Sequence, residues 1–254
     1  MDLRTASERD AQTVARHAEQ AGLRLVRFLY CDNGGIVRGK ATHAHGLARR
    51  MLEGIGQSLA MQAFASFDAL APVEGMGPIG EFRLVPDPAT FVVLPYAPHS
   101  GMLLCDLYAQ DHQPWAACPR SFLKRMIAEA AREGIAAQAA FEHEFYLARA
   151  LPEGGYEPYD RSLCYSSAGF DSTAPIIDEI IAALEHQGIQ VEQFMPELGP
   201  GQQELSIAHA AALPAADHAI QVRETVRGVA HQHGVVASFA VSYTHLTLPT
   251  ILRV

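Results

Sequence analysis

The stretch AFEHEFYL, residues 140–147, places two glutamates one residue apart within a run of apolar and aromatic side chains. Side chains alternate between the two faces of a strand, so a strand here puts Glu142, Glu144 and Tyr146 on one face. Two like charges side by side on a largely apolar strand repel each other and are costly to bury. A cation between them removes this cost, and carboxylate oxygens favour hard cations such as Mg²⁺ or Mn²⁺. We therefore predict a strand that carries part of a metal site.

A second acidic pair lies downstream in FMPELGPGQQEL, residues 194–205. The Gly-Pro-Gly sequence at 199–201 is a turn signal between two short apolar stretches, and the turn would fold Glu197 and Glu204 toward each other. Four carboxylates on neighbouring strands predict an oxygen-rich metal site, and such sites commonly handle phosphate groups. The alternative is a solvated strand face, which the apolar flanks of residues 140–147 disfavour.

Composition limits the classes of function. The chain has 254 residues, 49% of them hydrophobic, so it can bury a sizeable core in one or two domains. The formal net charge of -9 argues against nucleic acid or an anionic membrane as the main partner. The cysteines lack metal-ligand spacing, no signal pattern opens the chain and no apolar run reaches membrane-spanning length. We therefore expect a cytoplasmic protein with reduced cysteines.

The first hundred residues predict a small mixed α/β domain. The sequence Asn33-Gly34-Gly35 between two β-rich runs is a strong hairpin signal. The expected elements are a helix at 5–21, hairpin strands at 23–30 and 36–44, a loop-rich stretch at 51–80, and strands at 82–85 and 90–94.

Residues 101–240 predict further strands and helices, among them an antiparallel pair at 189–198 and 202–208. Pro119 opens one helix and Gly134 ends it, whereas Asp171-Ser172 is expected to cap another. The expected elements are strands at 102–108, 140–147, 189–198, 202–208 and 235–240, helices at 119–133, 171–187 and 214–233, and a loop at 150–170. The fold class is therefore α+β.

The last stretch, residues 241–254, has no helical period and differs in character from what precedes it. It looks like the translation of a sequencing adapter, so we treat it as a non-native tail and exclude it from fold reasoning. A genuine terminal strand is the alternative.

The motifs in combination resemble the glutamine synthetase family. They are the FEHEFYL stretch, the span from Glu197 to Glu204, LVPDPAT at 84–90 and VRGK at 37–40. The resemblance covers roughly residues 20–240. It implies an N-terminal β-grasp domain followed by a catalytic domain, here incomplete. It also implies an ATP-dependent ligase that converts glutamate and ammonia to a γ-glutamyl amide through γ-glutamyl phosphate.

The resemblance assigns metal ligands residue by residue. Glu144, Glu197 and Glu204 match the three ligands of the metal beside the glutamate substrate. Glu142 matches the first ligand of a second metal, which clamps the ATP phosphates. Mg²⁺ or Mn²⁺ and ATP are the implied cofactors.

Three further positions follow from the same resemblance. Glu192 lies where the family has a glutamate near the nucleotide, although regular alternation would put it on the opposite face from Glu197. Tyr165 matches a tyrosine of the ammonia pocket. Asp68 is a stand-in for the ammonia-binding aspartate, whose usual motif is not evident.

The chain also departs from the family. The segments that supply a histidine and a glutamate to the second metal, and the arginines that contact phosphate and substrate, are not found. We therefore expect this chain to be a fragment without ligase turnover, whereas family members assemble into homo-oligomeric double rings.

Several alternatives stay open. The acceptor could be an amine or polyamine instead of ammonia, or the chain could bind nucleotide or glutamate without catalysis. A glycoside hydrolase could use two carboxylates as acid and nucleophile without metal. The chain could also be a genuine short protein.

Overall fold

The computed structural model describes residues 7–65 and 68–240. The chain divides into two compact units, Met1–Ala137 and Gln138–Val254. The tail assigned to residues 241–254 lies outside the described residues, so its non-native origin stays a prediction. Among the described helices, none is long and apolar enough to cross a membrane.

The first unit combines helices with a mixed sheet. Its elements are α1 (Glu8–Gln20), β1 (Leu25–Cys31), β2 (Val37–His43), α2 (Leu47–Glu53), β3 (Ile55–Ser58), β4 (Glu81–Pro86), β5 (Val92–Val93), β6 (Ser100–Tyr108) and α3 (Pro119–Arg132). The sheet order is β2-β1-β6-β4-β3, with β5 also paired to β6. Strands β1 and β6 run parallel, whereas the other pairs are antiparallel.

The predicted hairpin is present between β1 and β2, where Leu25 pairs with His43 and Cys31 with Val37. The side chain of Asp32 closes the turn, because its Oδ1 accepts the N–H groups of Gly34 (2.9 Å) and Ile36 (2.8 Å). This is the local hydrogen bonding that makes aspartate frequent in turns. The core beneath the sheet includes Phe82, which stacks on Trp115 with ring centroids 4.9 Å apart.

The second unit places helices against a separate antiparallel sheet. Its elements are β7 (Gln138–Ala139), β8 (Glu142–Ala150), β9 (Tyr156–Pro158), α4 (Ser167–His186), β10 (Val191–Pro196), β11 (Gln202–Ile207), β12 (Ala210–Ala211), α5 (Ala212–Gln232) and β13 (Val236–Ser238). The sheet order is β10-β11-β8-β13, with β9 also paired to β8, and β7 pairs with β12.

The core of the second unit joins one face of this sheet to the two helices. From the sheet come Phe145, Leu147 and Leu205, all essentially without solvent exposure. Ile180 of α4 and Val226 of α5 are equally buried. The glutamate strand β8 is therefore central and covered on this face, which agrees with its apolar sequence.

Three details of the secondary structure differ from the prediction. Residues 51–80 are not only loop, because α2 and β3 occupy part of that stretch. Helix α4 begins at Ser167, capped by the side chain of Ser166, and the prediction of a cap at Asp171-Ser172 is wrong. The loop at 150–170 contains β9.

The α+β class is confirmed, with a mixed sheet in the first unit and an antiparallel sheet in the second. The boundary between the two compact units follows Ala137, whereas the sequence suggested a domain boundary near residue 100. The predicted domain bounds stay a prediction.

Candidate metal centre

The register of three strands arranges the predicted carboxylates in cross-strand rows. Glu204 of β11 lies directly opposite Glu144 of β8 on one side and Met195 of β10 on the other. Two residues along, Gln202 lies opposite Tyr146, and the N–H of Glu197 donates to the carbonyl oxygen of Gln202 over 2.9 Å. Directly opposed residues project to the same face of a sheet. Glu144, Glu197 and Glu204 therefore share the face that points away from α4 and α5.

Glu142 begins the third row, opposite Ser206. It lies on the same face as Glu144, as alternation along β8 predicts, but it is exposed whereas Glu144 is buried. The four carboxylates thus run from an open end of the face at Glu142 to a covered part at Glu144.

Electrostatics show that these groups lie close together. Burial raises the pKa of Glu144, the hydrogen bond from Gln202 opposes this in part, and the charges of Glu197 and Glu142 raise it further. Burial likewise raises the pKa of Glu204, with the charges of Glu142, Glu197 and Glu144 next in importance. Each shift reflects first the burial of a carboxylate and then the negative charges near it.

Two of the four carboxylates, those of Glu144 and Glu197, accept hydrogen bonds from neighbouring groups. The side-chain amide of Gln202 donates to Oε2 of Glu144 over 2.6 Å. Oε2 of Glu197 accepts the N–H of Leu198 over 3.0 Å, and its Oε1 accepts the hydroxyl of Tyr165, also over 3.0 Å. Such bonds hold the carboxylates in a fixed orientation.

Tyr165 lies in the loop before α4, in a left-handed conformation with φ of 55°. Its N–H donates to the carbonyl oxygen of Pro196 at 3.0 Å, which ties the loop to the end of β10. The hydrogen bond to Glu197, together with that carboxylate's charge, raises the pKa of the Tyr165 phenol. The structure therefore brings Tyr165 to the carboxylate set.

Glu192 lies apart from this arrangement. The pairing of β10 with β11 shifts register between Val191 and Gln193, so Glu192 occupies a bulge and is exposed. It is not among the charges that raise the pKa of Glu144 or Glu204. A bulge interrupts the regular alternation from which the sequence argument placed Glu192 on the opposite face from Glu197.

The carboxylates fit a hard cation by their chemistry. In the part of the chain that the structure describes, no group of three or more His, Cys, Asp or Glu side chains is arranged to hold a metal ion as it stands. Oxygens of Glu144 and Glu197 are instead engaged by Gln202, Tyr165 and a backbone N–H. An all-oxygen donor set of four carboxylates is the kind of set whose charge Mg²⁺ or Mn²⁺ would neutralise.

Gln202 is the site residue that the sequence reasoning did not single out. It stands two residues before Glu204 on β11, so alternation along the strand would have placed it on the carboxylate face. Its hydrogen bond to Glu144 depends on register, which the sequence did not reveal.

Asp68, the candidate for the acceptor pocket, belongs to the first unit. Its carboxylate pairs with Nη1 of Arg38 at 2.8 Å, and Nε of the same guanidinium donates to Asp32 at 2.6 Å. Asp68 has a φ of 56° and a side chain that is mostly exposed. Within this unit, the guanidinium of Arg38 therefore bridges Asp68 and Asp32.

Comparison with known proteins identifies the family. The family model of the glutamine synthetase N-terminal domain matches residues 10–115, and that of the glutamine synthetase catalytic domain matches residues 116–246. The chain belongs to the glutamine synthetase family. The catalytic-domain match includes β8, β10 and β11, the strands that carry or flank the four glutamates.

Individual relatives agree with this assignment. The chain is 34% identical over 222 residues to the gamma-glutamylpolyamine synthetase GlnA3 of Streptomyces coelicolor, covering 86% of this chain and 48% of that protein. It is 34% identical over 241 residues to a glutamine synthetase of Mycobacterium tuberculosis, covering 91% and 52%. A solved structure of GmaS with ADP superimposes with a TM-score of 0.78 at 26% identity, over 90% of this chain and 51% of that one. The chain thus spans about half the length of the relatives it matches.

Proposed function

We propose that this chain carries the carboxylate-rich part of the active site of an ATP-dependent ligase that joins glutamate to ammonia or an amine. The observation that supports it is the placement of Glu142, Glu144, Glu197 and Glu204 on one sheet face, with Glu144 and Glu204 directly opposed. The family supports the reaction class, since glutamine synthetase and γ-glutamylpolyamine synthetase are both among the relatives.

Glu144, Glu197 and Glu204 would together hold one divalent cation, and Glu142 would contribute to a second. When bound, such ions neutralise charge on the substrate carboxylate and on ATP phosphates, which phosphoryl transfer requires. Strand pairing fixes the spacing of the carboxylates, because Glu144 and Glu204 are directly opposed in the ladder. The hydrogen bond from Gln202 keeps Glu144 oriented in its buried position.

Tyr165 and Glu192 complete the proposal. Tyr165 touches Glu197, so an acceptor amine at this edge of the site would meet the phenol and the carboxylate together. A polar pair of this kind binds an ammonium or amine donor well. Glu192 is exposed at the bulge, and we keep it as a candidate nucleotide contact.

The acceptor is the least specified part of the proposal. Identity is 34% both to the gamma-glutamylpolyamine synthetase and to the glutamine synthetase, so similarity favours neither acceptor. We therefore propose a nitrogen nucleophile in general, with ammonia and small amines as the first compounds to compare.

Binding of Mn²⁺ to the purified chain tests the metal site. Bound Mn²⁺ loses the sharp six-line electron paramagnetic resonance signal of the free ion, so the dissociation constant can be measured directly. We expect Glu144→Gln and Glu204→Gln to weaken binding by more than about tenfold, since loss of outer-sphere partners alone costs 10- to 100-fold. Glu157→Gln on β9, an exposed position of the same sheet, removes an equal charge and should leave binding unchanged. Equal losses in all three variants, or no binding by the unaltered chain, would contradict the proposal.

Turnover is a separate question. The described residues bring together four carboxylates, and the matched relatives are about twice as long as the matched region. We propose that these 254 residues bind metal but do not complete the reaction alone. Formation of γ-glutamyl hydroxamate from glutamate, ATP and hydroxylamine by this chain would contradict that statement.

A further inference from the structure

Gln202 makes three side-chain hydrogen bonds although it is almost fully buried, at 6% exposure. Its amide nitrogen donates to Oε2 of Glu144 at 2.6 Å. Its amide oxygen accepts the hydroxyl of Tyr146 at 3.1 Å and the N–H of Gly199 at 2.9 Å. A buried amide with this many partners is held in one position.

The direction of the amide follows from its partners. A backbone N–H can only donate, so the group that faces Gly199 must be the amide oxygen. The nitrogen then faces Glu144, where it meets a carboxylate that accepts. Exchanging the amide oxygen and nitrogen would set two donors against each other at Gly199 and two acceptors against each other at Glu144. The chemistry of the neighbours therefore fixes a choice that is often ambiguous for glutamine.

The same residue reaches the turn that carries Glu197. The backbone N–H of Gln202 donates to the carbonyl oxygen of Gly199 at 2.8 Å, and its carbonyl oxygen accepts from the N–H of Glu197 at 2.9 Å. Gly199 packs closely here, since a Cβ on it would lie 2.5 Å from the Tyr146 hydroxyl and 2.7 Å from the Gln202 amide oxygen. Gln202 thus links the orientation of Glu144 to the position of Glu197.

We propose that Gln202 is a positioning residue for the metal site, which holds Oε2 of Glu144 and the turn of Glu197 in fixed relation so that both carboxylates can bind one divalent cation. This inference rests on the proposed function, because it presupposes that the carboxylates bind metal. The amide of Gln202 donates to a carboxylate with its nitrogen and accepts a backbone N–H with its oxygen. Its side chain has the length that reaches both partners. A residue of equal length without an amide would fill the space and lose the linkage.

The test compares Gln202→Met with Gln203→Met in the full chain, with Mn²⁺ as the probe. Methionine preserves length and volume but removes the amide. Gln203 is a matched control, because it is the next residue, is 1% exposed and lies opposite Phe145 on the other face of the sheet. Electron paramagnetic resonance gives both the dissociation constant and the spectrum of the bound ion, and circular dichroism gives the melting temperature without metal.

We expect Gln202→Met to weaken Mn²⁺ binding by about 10- to 100-fold, the usual effect of removing an outer-sphere partner. We also expect a changed spectrum of the bound ion, which a purely structural role would not produce. Gln203→Met should keep the affinity and the spectrum of the unaltered chain, whatever its melting temperature. Equal affinity and equal spectra in the two variants would overturn the role of Gln202 while leaving the proposed function intact. No binding by the unaltered chain would contradict the proposed function and this role together.

A second variant applies if Gln202→Met does not fold. Tyr146→Phe removes one of the two donors to the Gln202 oxygen and leaves the amide and its bond to Glu144 in place. We expect a smaller loss of Mn²⁺ affinity in the same direction, and an affinity equal to that of the unaltered chain would overturn the inference.

Discussion

The hydroxyl of Tyr165 donates a hydrogen bond to Oε1 of Glu197 across 3.0 Å. The two residues are 32 positions apart in sequence, and the N–H of Tyr165 is held by the carbonyl oxygen of Pro196, the residue before Glu197. A loop that the sequence leaves undefined is therefore fixed at the edge of the carboxylate set. This contact makes the ionisation of one phenol a reporter of the charge on one proposed metal ligand.

The ionisation of Tyr165 is expected to respond to Glu197. The carboxylate accepts the phenolic proton in a hydrogen bond and disfavours the phenolate, so the pKa of Tyr165 lies above its ordinary value of 10.0. Glu197→Gln removes the charge and should move that pKa back down. Absorbance titration of the chain minus that of Tyr165→Phe isolates this phenol, and the pair of curves is repeated with Glu197→Gln. An identical midpoint in both backgrounds would refute the coupling, and Glu157→Gln serves as the charge control.

Burial of Glu144 and Glu204, together with repulsion from neighbouring carboxylates, should cost stability when no cation is present. Both groups have raised pKa values, so the folded chain binds more protons than the unfolded chain just above pH 4.5. Their contribution to stability is therefore best at acid pH and becomes unfavourable as pH rises through the folded pKa values. At pH 7 without metal, Glu204→Gln should stabilise the chain by up to about 1 kcal/mol, the scale of a cross-strand pair, because it removes a partly buried charge directly opposite a second carboxylate.

Saturating Mn²⁺ should reverse the order of stability. The unaltered chain gains binding free energy from the metal, whereas Glu204→Gln loses a ligand and gains less. Urea unfolding of both chains, with and without Mn²⁺, measures the two differences. If Glu204→Gln is less stable than the unaltered chain in metal-free buffer, the repulsion argument fails.

His143 should make the chain sensitive to mild acid. It lies on the face opposite Glu144, 6% exposed, and neither ring nitrogen meets the geometry of a hydrogen bond to a described residue. Burial lowers the pKa of the ring from 6.5 to about 4, an effect that nearby backbone groups of Phe141 and Leu205 oppose only in part. Between these pH values the unfolded chain binds the extra proton, so the free energy of unfolding falls as the pH is lowered.

Replacing His143 tests whether its imidazole causes this pH dependence of the free energy of unfolding. At about 1.4 kcal/mol per pKa unit, the shift corresponds to roughly 3 kcal/mol lost between pH 6.5 and 4. His143→Leu should flatten the pH dependence of unfolding in this range by up to that amount, and the exposed His186→Gln should not. Parallel pH profiles for His143→Leu and the unaltered chain would show that His143 is not the group responsible.

The turn at Gly199 should tolerate no side chain. A Cβ there would lie 2.5 Å from the Tyr146 hydroxyl, so Gly199→Ala must push Tyr146 or Gln202 aside. We expect a loss of about 1–3 kcal/mol, typical of overpacking. Gly77→Ala is the matched control, since a Cβ at Gly77 meets nothing within 4 Å and neither glycine has positive φ. Equal melting temperatures for the two variants would contradict the close packing.

Alternation along strands accounts for most of what the sequence revealed about the site. Glu142 and Glu144 share a face because they are two residues apart on one strand, and the Gly-Pro-Gly turn predicted the return of the chain toward them. The remaining features of the site depend on the register in which the strands pair, which alternation along one strand does not predict. The bulge at Glu192 and the bond between Gln202 and Glu144 both follow from how strands align, which single residues do not encode.

The start of helix α4 illustrates the same limit. Ser166 and Asp171 are both good helix caps by residue type. Gly169 between them is a residue type that disfavours a helix interior. In the structure a Cβ on Gly169 would lie 2.8 Å from Pro196, so close packing against β10 explains this glycine inside the helix. Helix α2 was missed because Leu47 and Met51 are its only buried residues, too few to reveal a period.

Anomalous diffraction from Mn²⁺-soaked crystals of this chain tests the central claim most directly. We expect a strong manganese peak beside β8 and β11, with carboxylate oxygens of Glu144, Glu197 and Glu204 around it and Gln202 still bonded to Glu144. Crystals of Glu204→Gln should lose that peak under the same soak. Manganese bound only elsewhere, with these three carboxylates unchanged from their metal-free positions, would contradict the account.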